Sequence, residues 1–86
     1  MNLDAMFPDD LWEIHNRLHQ HPVLEARKLF PEKPQGYVAA AHTLKNYCAN
    51  KAVAMKLRLE GRIAVALRYE AICERLYKEL PQFARW

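Results

Sequence analysis

The fold is decided by residues 37–80, which read YVAAAHTLKNYCANKAVAMKLRLEGRIAVALRYEAICERLYKEL. From Tyr37 to Glu60, and again from Arg62 to Leu80, apolar or small residues recur mostly every three or four positions, as they do on one face of an α-helix. The first stripe consists of positions 37, 41, 44, 48, 52, 55 and 59, and the second of positions 63, 66, 69, 73, 76, 77 and 80. Gly61 is the only residue between the two runs, and a glycine after helix-favouring residues is typical of a left-handed helix C-cap. The stretch therefore predicts two antiparallel helices that reverse direction at Gly61.

The apolar stripes also predict how these two helices face each other. If the chain turns at 60 or 61, facing residues have numbers that sum to about 121, and several predicted layers set a small residue against a large one. The predicted pairs are Met55–Ala66, Ala52–Tyr69, Cys48–Cys73, Leu44–Tyr77 and Ala41–Leu80. The alternative is one unbroken helix, since an internal glycine costs only ~1 kcal/mol relative to alanine. We prefer the hairpin because both stripes need burial within one small domain.

Prolines divide the first third of the chain into short helices. Pro8 and Pro22 suit the first positions of helices, whereas Pro31 stops one. We expect a first helix from Pro8 to Gln20, a second of about eight residues from Pro22, and a turn-rich connector from Pro31 to Gly36. The predicted fold class is thus all-α: four helices dominated by a long antiparallel hairpin, with the two short N-terminal helices packed on it.

Length and composition favour one ordered helical domain. The chain has 86 residues, of which 51% are hydrophobic and 27% charged. We therefore expect a single domain. Its parts are the short helices and connector (1–36), the hairpin (37–80) and an aromatic tail (81–86). No run approaches the roughly 20 apolar residues of a membrane span, and the N-terminus carries acids where a signal peptide carries bases. We expect a cytoplasmic protein with no membrane association.

Residues that could carry catalysis or bind a cofactor are scarce. The chain has no serine and no glycine-rich phosphate loop, so we expect a non-enzymatic protein with no catalytic residues and no cofactor. His15 and His19 have the spacing at which two imidazoles can share a metal, but no Glu or Cys beside them completes a set, so no metal site is predicted. Cys48 and Cys73 are interpreted as reduced core residues.

Basic residues are concentrated in the second part of the chain. From residue 37 onward, nine basic residues stand against four acidic ones, a net charge of +5, which allows an anionic partner. The candidate nucleic-acid contacts are a basic ridge around the predicted turn: Lys45, Lys51, Lys56, Arg58, Arg62 and Arg68. Acids are interleaved with this ridge and no DNA-binding motif is present, so nucleic-acid binding is kept as the alternative function.

The turn itself has a counterpart among known interaction modules. The run Glu60-Gly61-Arg62-Ile63, followed by Ala66 and Tyr69, resembles the inter-helix turn of tetratricopeptide-like and related helical-hairpin interaction modules. The resemblance covers about 25 residues, without a second copy, the usual early aromatic or the terminal proline. It implies peptide or protein binding in a groove.

Three aromatic residues and one arginine are the candidate contacts for a protein partner. Phe83, Arg85 and Trp86 lie in the tail after Pro81, and Trp12 widens the apolar stripe of the first helix. Large terminal aromatics call for burial, and the interpretation we prefer is that the tail folds back and caps the core of its own domain. The alternative is that it anchors a partner chain, since Trp and Arg are enriched in protein interfaces. The sequence therefore predicts a small protein-binding module or regulatory accessory protein, with a homodimer as one option for the partner.

Overall fold

The structure is a computed structural model that describes residues 7–29 and 37–81, with side chains from residue 40 onward in the second range. Four α-helices make up these ranges: α1 (Pro8–Gln20), α2 (Pro22–Leu29), α3 (Tyr37–Leu59) and α4 (Ile63–Glu79). The all-α prediction is confirmed, and α1 and α2 have the predicted bounds. No helix in the described part of the chain is long and apolar enough to cross a membrane.

The reversal between α3 and α4 is a Schellman cap centred on Gly61, as predicted. Gly61 has a φ of +78°, the only positive value among the described residues. Its N–H donates to the Arg58 carbonyl at 3.0 Å, and the Arg62 N–H donates to the Leu57 carbonyl at 2.9 Å. These two bonds satisfy carbonyls at the end of α3 that otherwise lack helical partners. The hairpin is confirmed and the single long helix is excluded.

The register of the hairpin agrees with the prediction that Cys48 of α3 faces Cys73 of α4. The Cys48 and Cys73 thiols are close enough to influence one another electrostatically, and both are free and buried. Tyr77 packs against Tyr47, with 6.0 Å between ring centroids. Tyr47 lies on α3 close to Leu44, the residue predicted to face Tyr77, and Leu44 is fully buried in the same core.

The two short helices pack on α3, and so does α4, which makes α3 the central element of the domain. Pro8 begins α1, Asp9 and Asp10 occupy its first turn, where the helix dipole favours negative charge, and its inward stripe is completely or almost completely buried: Leu11, Ile14 and Leu18. Packing of the N-terminal helices on the hairpin is confirmed. Their contacts are made chiefly with α3 rather than across both hairpin helices.

Small residues on α3 allow its neighbours to approach closely. Its buried alanines are Ala40, Ala41, Ala52 and Ala54, each no more than 2% exposed. Short side chains bring helix axes together, and larger neighbours such as Leu11, Leu18 and Leu80 fill the remaining space. By contrast α4 buries only Ala66 and Cys73. Much of its surface therefore faces solvent.

Candidate functional site

Three large apolar side chains around the turn are exposed, and we call them the turn patch: Leu59, Ile63 and Leu67. Their exposed fractions are 81%, 43% and 54%. Ile63 and Leu67 are four residues apart on α4, so they lie on the same helix face, and Leu59 is the last residue of α3. Contiguous exposed apolar residues with polar neighbours are typical of interaction surfaces.

The geometry of α4 explains why this patch is not buried. The residues that α4 buries, Ala66 and Cys73, are seven positions apart and so lie on one face of the helix. Ile63, three residues before Ala66, lies at the edge of that face, and Leu67 lies about 100° around the helix from Ala66. Leu59 and Ile63 belonged to the stripes that the sequence predicts to be buried. That expectation is wrong for both, because Leu59 ends α3 and Ile63 starts α4, where none of the described helices covers them.

Two residues of the predicted basic ridge are neutralised by acids. Arg58 donates from Nε and Nη2 to the Glu70 carboxylate, with 2.8 Å between Nη2 and Oε2. This hydrogen-bonded pair lowers the pKa of Glu70. The Lys56 Nζ lies 3.6 Å from an Asp9 carboxylate oxygen. Less of the ridge is therefore available to phosphate groups than the sequence suggests.

The other four ridge residues differ in their surroundings. Arg62 precedes α4 and Arg68 lies on it, and both are exposed close to the turn patch in sequence. Lys45 is half-buried, and its carbonyl accepts a hydrogen bond from His15 of α1. Lys51 is half-buried too and lines a groove on the α3–α4 surface. Of these four residues, only the two arginines are exposed.

The groove between α3 and α4 has a volume of about 260 Å³ and mixed polarity. It is lined by Tyr47, Lys51, Glu70, Cys73, Glu74 and Tyr77. Burial raises the pKa of Cys73 to about 11 and that of Cys48 to about 12. Both thiols are therefore protonated at neutral pH, which fits their interpretation as core residues rather than nucleophiles.

The candidate partner-binding residues are only partly covered by the structure. Trp12 is 43% exposed on α1, and its ring centroid lies 4.9 Å from that of His15. It is separate from the turn patch, which lies on the hairpin. Phe83, Arg85 and Trp86 lie outside the described residues, so both interpretations of the aromatic tail stay predictions.

The packing of α1 on α3 brings His15 against a backbone carbonyl of α3, a contact that the spacing of the histidines does not show. His15 Nδ1 lies 3.1 Å from the Lys45 carbonyl oxygen. The next imidazole along the helix, His19, has its centroid 6.2 Å away with 27° between the ring planes. The α1–α3 register creates the contact to Lys45, and nothing in the sequence marks it.

Comparisons with known proteins give no relative: no family model, no curated protein and no solved structure matches this chain.

Proposed function

We propose that this protein is a non-enzymatic protein-binding module, of the regulatory or accessory kind, and that the turn patch is its contact surface. The observation that carries the proposal is the exposure of Leu59, Ile63 and Leu67 at one end of the hairpin. Burying such side chains against a partner releases ordered water and contributes about 25 cal/mol for each Å² of apolar surface. The protein would act by covering a surface of its partner with this end of the molecule.

The neighbouring charges indicate the chemistry of that partner. Arg62 and Arg68 are exposed next to patch residues, and protein interfaces commonly surround an apolar centre with a polar rim. A matching surface would offer an apolar depression bordered by acidic side chains. Opposite charges at the rim mainly speed association, whereas the apolar centre supplies most of the affinity.

Nucleic-acid binding is the weaker alternative. Its support was a basic ridge, but Arg58 is paired with Glu70 and Lys56 with Asp9. Exposed apolar side chains between the remaining arginines add nothing to phosphate binding, which depends on cationic contacts. A second copy of this chain is another partner that the patch could bind. The cytoplasmic location of the protein also stays a prediction.

The proposal is tested with a charge placed in the patch and a matched charge elsewhere. Tagged protein is used to retain partners from an extract of the source cells, and Leu67→Glu is compared with Leu24→Glu. Leu24 is 53% exposed on α2, against 54% for Leu67 on α4, so the two changes place equal charge at equal exposure. We expect Leu67→Glu to lose the partner that the wild type and Leu24→Glu both retain.

Equal retention by both variants would refute the assignment of the patch. Washing the captured complex with increasing salt distinguishes the two classes of partner, because phosphate contacts weaken steeply with salt and an apolar contact hardly responds. Sedimentation of the purified wild type and Leu67→Glu shows whether the partner is a second copy. A concentration-dependent dimer that only Leu67→Glu abolishes would assign the patch to self-association.

A further inference from the structure

We propose that His15 and His19 form a binding site for a divalent late transition-metal ion of the zinc, nickel and copper group, open to further ligands. The site lies at the edge of α1, where half-buried His15 meets α3 and His19 is exposed. Lys45, whose carbonyl contacts His15, is about 20 Å from Leu59 along α3, at 1.5 Å per residue. The site is therefore independent of the turn patch.

The first argument is the tautomer of His15. A backbone carbonyl only accepts hydrogen bonds, so the contact of 3.1 Å between His15 Nδ1 and the Lys45 oxygen requires the proton to be on Nδ1. The lone pair is then on Nε2. Metal-binding histidines characteristically donate their second N–H to a carbonyl or carboxylate, which fixes the ring and increases its basicity. His15 is held in this way before any ion arrives.

The second argument is the relation between the two rings. They are four residues apart on one helix, with centroids separated by 6.2 Å and planes inclined by 27°. A metal binds a ring nitrogen in the plane of the ring, at about 2.0–2.1 Å, and a separation of 6.2 Å brings both rings within reach of one ion. The exposed His19 side chain can turn a nitrogen towards an ion held at His15 Nε2 without a change in the helix. Trp12 packs on the other side of His15, 4.9 Å away, and restricts its rotation.

The two imidazole nitrogens determine which ions the site prefers and how many coordination positions stay open. Neutral imidazole suits zinc, nickel and copper, whereas calcium and magnesium prefer oxygen ligands. Within the described ranges no group of three or more His, Cys, Asp or Glu side chains could hold a metal. The two histidine nitrogens thus leave other coordination positions for water or for a donor from a bound molecule.

The direct test is calorimetric titration of the full chain with Zn²⁺. We expect saturable binding of one ion, weakened at least about tenfold by His15→Gln or His19→Gln, the lower end of the cost of even an outer-shell change. His42→Gln and His21→Gln are the controls, since both residues are exposed, as His19 is, and neither belongs to the pair. Circular dichroism verifies that each variant is folded.

A second measurement uses the neighbouring indole as a reporter. In a Trp86→Phe background, Trp12 is the only tryptophan, and Cu²⁺ held at His15 should quench its fluorescence. His19→Gln should shift this quenching to higher Cu²⁺ concentration, whereas His42→Gln should not. The proposal is overturned if the wild type binds no Zn²⁺ saturably, or if binding survives both His15→Gln and His19→Gln.

Discussion

Arg58 and Glu70 join the last turn of α3 to the middle of α4 through a two-pronged ion pair, with Nε donating to Oε1 and Nη2 donating to Oε2 of the carboxylate. The pair spans the hairpin close to Gly61 and lies on the protein surface. It removes one cation from the ridge that the sequence offers to nucleic acid. It also gives the hairpin an interaction that can be titrated.

The pKa of Glu70 should be below that of an unpaired glutamate. The hydrogen bonds from Arg58 are the main cause, and the nearby Lys51 acts in the same direction. A lowered pKa in the folded state means that the pair stabilises the fold at neutral pH and that this contribution disappears as the pH falls through the folded-state pKa. Because the pair is exposed, we expect a small effect.

Carbon-detected NMR of the side-chain carboxylates measures this pKa directly. In Arg58→Ala the pKa of Glu70 should return towards that of an unpaired glutamate, with the wild type measured under the same conditions as the control. An unchanged Glu70 value in Arg58→Ala would show that the ion pair is not formed in solution.

Replacing Gly61 should destabilise the protein through backbone strain alone. The φ of +78° is costly for a residue with a Cβ, while a Cβ built at this position meets no atom within 4 Å. We expect Gly61→Ala to lower the free energy of unfolding by about 1–2 kcal/mol, measured by urea denaturation. Gly61→Asn should lose less, because asparagine tolerates the left-handed region better. Equal stability of wild type and Gly61→Ala would contradict the cap.

Two leucines of α3 should respond very differently to truncation. Leu44 is fully buried, so Leu44→Ala leaves a cavity and should cost about 2–5 kcal/mol of unfolding free energy. Leu59 is 81% exposed, and Leu59→Ala should change stability by less than about 0.5 kcal/mol. Chemical denaturation of both variants makes the comparison. A large loss in Leu59→Ala would show that the turn patch is covered within its own molecule.

The two cysteines should make the fold sensitive to alkaline pH. Their pKa values are about 12 and about 11 in the folded protein, against an ordinary value of 9.0. Between these values the unfolded chain loses thiol protons that the folded chain keeps, so stability should fall as the pH rises above 9. Denaturation midpoints measured across this range, with Cys48→Ala as comparison, test the effect. Thiol labelling at neutral pH should be slow until denaturant is added.

The secondary structure was predictable because its signals are local. Prolines at positions 8 and 22 begin α1 and α2, and Gly61 ends α3 through a conformation that other residues avoid. Periodicity also identified most of the inward-facing residues, and the two buried cysteines influence each other electrostatically, in agreement with their predicted pairing. Each signal acts within a few residues and does not depend on the remainder of the chain.

The candidate sites were predictable only in part. Periodicity placed Leu59 and Ile63 on buried stripes, but both are exposed, because the number of neighbouring helices determines which part of a stripe is covered. The ion pairs of Lys56 and Arg58 were missed since their acids come from other helices. The spacing of His15 and His19 was visible from the start, while the carbonyl that orients His15 comes from α3.

By itself, then, the sequence determined four helices, the turn at Gly61 and the absence of common catalytic motifs, because these depend on backbone preferences and residue types. Tertiary structure decided which apolar residues remain in solvent, which basic residues are paired and which nitrogen of His15 carries its proton. Those properties depend on distances between helices that are far apart in the chain. Such distances are set by packing of the whole core, in which small alanines on α3 determine how closely its neighbours approach.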